Sequence, residues 1–182
     1  MDMAPRPGDV LEFWREAGPG AWFTKNPAFD ELCRSRFLHA YQQAAAGALP
    51  DWERSADGAL ALVILLDQMP RNMFRGDPRT WATDPDALAV ATRALDAGYD
   101  QQVAPDLRPF FYLPFMHAED LDAQERSVAL YTALGDPENL TFAHHHHGII
   151  ARFGRFPHRN AVLGRETTPE EAAFLEEDPF RG

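Results

Sequence analysis

The chain is poor in the residues that announce many common functions. It has one cysteine, Cys33, and one lysine, Lys25. A single cysteine excludes an intrachain disulfide and gives no sign of an oxidising compartment. Leu32 and Phe37 beside it predict a core thiol. The longest apolar run, ALALVILL at 59–66, is far too short to span a bilayer. The opening MDMAPRPGDVLEF lacks the basic region and apolar stretch of a secretory signal. A soluble, cytoplasmic protein is expected. The nucleotide-binding patterns GxGxxG and GxxxxGKS/T are absent, and so is the GxSxG nucleophile elbow.

What is present reads as helix. A length of 182 residues with 45% hydrophobic content fits one domain over 1–182, with 1–8 and 178–182 as peripheral tails. Prolines follow capping side chains at Asn26-Pro27, Asp84-Pro85, Asp136-Pro137 and Thr168-Pro169, each a helix start. Thr168 with Glu171 forms the T-x-x-E capping box. Apolar residues recur at helical spacing, as in Val10, Phe13, Trp14 and Ala17, and no alternating period of two is found. The spacing predicts helices near 9–17, 27–46, 55–68, 85–97, 118–134, 137–153 and 169–177, and a short one after Pro157. The proline- and aromatic-rich segment 99–117 is expected to be an ordered loop. The fold class is therefore all-α, with short connections between antiparallel neighbours.

The net charge of -11 disfavours contact with nucleic acid or an anionic membrane, which need cationic surface over many positions. It leaves room for a small local anion site. Sixteen arginines supply nearly all the positive charge, and seven fall in two stretches. LLDQMPRNMFRG at 65–76 leads into Arg79, and RFGRFPHRNAVLGR spans 152–165; in each, an apolar helix is read as ending before a proline and an Arg-Asn pair. Arginines there can cap helix ends and bury ion pairs, or face an anion, and the pattern permits both.

A third segment, PFMHAEDLDAQ, opens a predicted helix. Glu119 and Asp120 would be first-turn anions and His117 a cap, or His117 and Glu119 an acid/base pair or two metal ligands. The run His144 to His147 cannot form one metal site, because only His144 and His147 share a helix face. Zinc would need His146 joined to His117 and Glu119, without any HExxH or cysteine spacing. No metal and no cofactor are expected.

Taken with FW at 13–14, WF at 22–23, FD at 29–30 and the closing TPEE, these three segments resemble the bacterial family catalogued as domain of unknown function 924, from about Val10 to Leu175. The resemblance implies antiparallel helix pairs stacked as in tetratricopeptide-repeat proteins, in a right-handed superhelix, without an established activity. The family's polar positions fall here on Asp67, Gln68, Arg71, Asn72, Arg75, His117, Glu119, Gln124, His146, Arg155, His158, Arg159 and Asn160. The chain departs at Met69, at Ala118 where serine is usual, and around His146. The leading expectation is a helical binding module with an arginine-rich pocket for a small anion or acidic peptide, His117, Glu119 and His146 forming the far wall. The rivals are a hydrolase-like enzyme using His117, Glu119 and His146, and a purely structural role for the polar motifs.

Overall fold

The structure, a computed structural model, describes residues 5–179. Of the two expected tails, 1–4 and 180–182 lie outside the described residues. Every regular element among the described residues is helical, so the class is all-α. No described helix is long and apolar enough to cross a membrane. The chain divides into two compact units: up to residue 75 with 79–114, and 76–78 with the remainder from 115.

The first unit is built from α1 (Pro7–Ala17), α2 (Pro19–Trp22), α3 (Pro27–Ala45), α4 (Ala56–Val63), α5 (Met69–Met73) and α6 (Asp84–Asp96). Val10, Leu11, Phe13 and Trp14 form the buried stripe of α1. Phe13 stacks on Phe29 of α3 at 5.6 Å, and Trp14 meets the edge of Phe110 at 5.8 Å, which ties the 3-10 turn Arg108–Phe111 to the same core. Asn26 caps α3 by accepting from the amides of Ala28 and Phe29, as its place before Pro27 predicts. From Gly58 to Val63 every residue of α4 is buried, which makes it the central helix of the unit. The 3-10 turn Pro50–Arg54 lies so close to α4 that a Cβ on Gly58 would come 2.0 Å from the Trp52 carbonyl oxygen.

The helix predicted to stop before Pro70 does not stop. A π-helical stretch, Ile64–Gln68, joins α4 to α5, and the Met69 amide donates to Ile64 O, five residues back. Proline has no N–H to give the carbonyl four residues earlier and would clash with it in a regular turn. The wider turn removes the clash. The carbonyl at issue, Leu66 O, accepts instead from the Thr83 hydroxyl at 2.6 Å. A second correction concerns Asp84, expected to cap α6: it is the first residue of that helix, and its carboxylate is turned to Arg71. The segment 99–117 holds 3-10 turns at Tyr99–Gln101 and Arg108–Phe111, followed by α7 (Leu113–Met116), so much of the expected loop is helical.

In the second unit α8 (Leu121–Leu134) and α9 (Pro137–Phe153) pack on one another across a two-residue connection. Gly135 supplies the left-handed conformation that ends α8, at φ 72°, and Asp136 caps α9 through the Asn139 amide. Ile149, Ile150 and Phe156 form the core, with Phe153 and Phe174 against it. Phe174 comes from α11 (Pro169–Glu177), whose capping box is formed. The short α10 (Asn160–Leu163) precedes it. Helix α8 starts later than predicted, at Leu121 with Asp120 as cap, so neither His117 nor Glu119 belongs to its first turn.

Candidate functional site

Buried acids of the first unit account for Arg71 and Arg75. Asp30 and Asp84 are each 7% exposed and Asp67 is fully buried, and a carboxylate in such a setting needs a cation or several donors. Arg71 forms a two-pronged pair with Asp84, at 2.8 and 2.9 Å, and lies 3.6 Å from Asp67. Burial opposes its charge, but Asp84 and Asp67 outweigh that penalty and raise its pKa. Gln68 donates to Asp67 at 2.6 Å. Arg75 forks onto Asp30 at 2.6 and 3.1 Å, and Asn72 donates to the same carboxylate at 2.9 Å. The predicted residues Asp67, Gln68, Arg71, Asn72 and Arg75 thus form two ionic clasps completed by Asp84 and Asp30.

The second unit has clasps of the same design. Arg155 forks onto Glu171 at 3.0 and 2.8 Å and donates to Glu166 O at 2.7 Å. Asn160, fully buried, donates to Glu171 at 3.1 Å and accepts from Arg165 at 2.9 Å. Arg165 forks onto Glu119 at 2.8 and 2.9 Å, and Glu119 also accepts the Phe156 amide. Hydrogen bonds from Arg155 hold the Glu171 carboxyl at about 2, against the opposing effect of burial. Burial alone would raise Glu119; donation from Arg165 and from the Phe156 amide overrides it, and its pKa falls.

The remaining predicted residues of this unit gather around His117. The carbonyls of Met116 and Ala118 accept from Gln124 Nε2, at 2.6 and 2.8 Å, and the carbonyl of His117 accepts from Arg159 at 3.0 Å. Three successive carbonyls are therefore fixed by side chains. Arg159, 6% exposed, lies with its guanidinium 4.7 Å from the Phe156 ring centre, a cation–π distance. The same ring meets His146 at 5.5 Å and His158 at 5.7 Å, and the rings of His117 and His146 are 6.3 Å apart.

His146 is the buried member of the histidine run, and its Nδ1 lies 2.7 Å from Phe142 O. A carbonyl can only accept, so Nδ1 carries the proton. Burial, with smaller contributions from the imidazoles of His117, His145 and His158, pushes its pKa down to about 3. His144 is exposed, and His145 pairs with Asp178 at 2.6 Å. Two fully buried atoms on one face of α8, Gln124 Oε1 and Ser127 Oγ, have no hydrogen-bond partner among the described residues. No group of three or more His, Cys, Asp or Glu among the described residues is placed to hold a metal ion.

Sequence reading missed the acids that complete the clasps. Asp30 and Asp84 sit at helix starts, where a cap is the ordinary explanation, and Glu171 was legible only as half of a capping box. Their separation from their arginines, 45 residues for Arg75 and Asp30, leaves no local signal.

An all-helical chain cross-braced by arginine–carboxylate clasps, with a histidine-lined loop in its second unit, is the class defined by this fold. Residues 10–179 match a family of bacterial proteins of unknown function, DUF924, and the chain belongs to it. It is similar to the solved structure of a protein of unknown function from Agrobacterium tumefaciens, at 50% identity, with a TM-score of 0.91 over 94% of this chain and 97% of that one. No curated protein matches it.

Proposed function

We propose that the protein is a binding module for a small anion, a phosphate or a carboxylate, and that the second unit carries the site around His117, His146, His158 and Arg159. The observation that carries this reading is the buried, neutral His146 beside two further imidazoles and a guanidinium on the Phe156 ring. Titratable groups displaced this far from their ordinary range concentrate at working sites. An anion seated there gains from the guanidinium and from the ring N–H groups that can donate to it. Ser127 Oγ, buried on α8 without a partner among the described residues, is a hydroxyl able to donate to an anion, whereas Gln124 Oε1 can only accept.

Binding is favoured over acid/base hydrolysis because Glu119 is committed to Arg165 and to the Phe156 amide as a carboxylate. A group so held is a poor proton carrier at neutral pH. The family-derived sites on Arg71, Arg75 and Arg155 are assigned to bracing.

Thermal melts with inorganic phosphate, succinate and acetate, each at about pH 7 and about pH 6, test the reading. A ligand bound only by the native state raises stability by about 2.7 kcal/mol at about 100 times its Kd. The expected result is stabilisation by at least one anion, lost in Arg159→Gln. A flat response to every anion in the intact chain overturns it.

The purely structural reading has its own support in the four forked pairs. Under it, Arg159→Gln would lower the melting temperature without changing any anion response, because there would be none.

A further inference from the structure

A cleft of about 450 Å³ in the first unit is lined by none of the clasp residues. It opens where small side chains fail to fill the space between helices. Ala44 near the end of α3 and Ala89 on α6 face it, while the buried Leu62, Leu66 and Val90 provide its floor. Such a volume lies within the roughly 300–1,000 Å³ range of small-molecule sites, whose walls are apolar with a few placed polar groups.

The polar groups here are Glu53, Asp86 and Arg93. On α6, Asp86, Ala89 and Arg93 follow one another at spacings of three and four and share a face, so the alanine leaves a gap between two charged side chains. Arg93 is not available to an anion: it forks onto Glu53 with both contacts at 2.8 Å, which cancels its charge. The Asp86 carboxylate, exposed, makes no ion pair or side-chain hydrogen bond among the described residues. The C-terminal end of the 19-residue α3 adds the negative pole of its macrodipole at Ala45, Ala46 and Gly47, all of which line the cleft. The balance is negative at the rim and apolar beneath.

We propose that this cleft binds a small cationic amphiphile, an alkyl- or arylammonium whose apolar body lies over Leu62, Leu66 and Val90 and whose head sits beside Asp86. The site is independent of the anion reading, and its charge preference is the opposite one, so the two stand or fall separately.

Titrating the full chain with hexylammonium, with hexanoate and methylammonium as controls, and following backbone amide resonances tests the proposal. The expected result is one-to-one binding of hexylammonium, with shifts concentrated at 44–53, 62–66 and 86–93. Hexanoate and methylammonium should each bind about tenfold more weakly or worse, since each lacks one of the two complementary parts. Asp86→Asn should weaken hexylammonium about tenfold, and Ala89→Phe should abolish binding by filling the gap. Asp86 and Ala89 are both exposed on α6, so both variants keep the fold, checked by unchanged helical circular dichroism. No binding at about 10 mM, far above the micromolar-to-millimolar range of weak sites, overturns the proposal. So does equal binding of hexanoate, or hexylammonium affinity unchanged in both variants.

Discussion

Acidification should weaken the fold through His146. The imidazole, 6% exposed, is held at about 3 against an ordinary 6.5, chiefly by burial. The unfolded chain therefore takes up a proton at a pH where the folded chain does not. Stability is whole well above 6.5 and is lost as the pH falls from there toward about 3. The slope approaches about 1.4 kcal/mol per pH unit, and integrating from about pH 7 to about pH 5 gives a loss of roughly 2 kcal/mol. For a chain of this size that corresponds to a fall in Tm of about 4–8 °C. Urea melts at the two pH values supply the assay, with the m-value as a check that the unfolded state is unchanged. His146→Asn keeps a donor for Phe142 O but cannot be protonated. It should start less stable than the parent and lose roughly 2 kcal/mol less between the two pH values. The other six histidines are common to both proteins, so the difference between the two losses reports His146 together with its couplings to His117, His145 and His158. Equal losses in parent and variant would refute the reasoning, since the buried imidazole would then not be the group that resists its proton.

Three further outcomes are expected. Glu171→Gln removes the charge that Arg155 and Asn160 share and should cost roughly 2–3 kcal/mol near neutral pH, read from urea midpoints; in the parent, this contribution fades as the pH falls below the ordinary 4.5 toward about 2. Gly58→Ala should destabilise by at least ~2 kcal/mol, because the new methyl meets the backbone oxygen of Trp52 and not a flexible side chain that could yield, and a thermal melt decides it. Cys33 is fully buried with its thiol pushed up to about 12 by burial, so it should stay unreactive to a thiol reagent in the native protein and become reactive in denaturant.

Much of the fold was legible because its signals are local. Asn26, Asp136 and Thr168 cap the helices that the prolines after them announce, and the stripe of Val10, Phe13 and Trp14 is buried as its spacing requires. Legibility failed where a side chain had a second claimant. Asp84 left the cap for Arg71. Glu119 left the helix start for Arg165, and Asp120, one position on, became the cap. Pro70 read as a stop because the hydroxyl that compensates for it, on Thr83, is remote in the chain. The polar positions were identifiable as a set from the three segments, but their pairing depends on distances in space. Spacing alone does not separate His146 from its three neighbours; the family resemblance singled it out, and it is the one of the four that α9 buries.

The wide turn before Pro70 also sets the aim of everything after it. One residue advances a regular helix by about 100°. With one residue fewer between Ile64 and Gln68 the wide turn would be lost, Pro70 would clash with the turn before it, and Arg71, Asn72 and Arg75 would swing round by that angle and miss Asp84 and Asp30. The irregularity is thus a phase adjuster, and a single deletion within it would unlock both clasps at once.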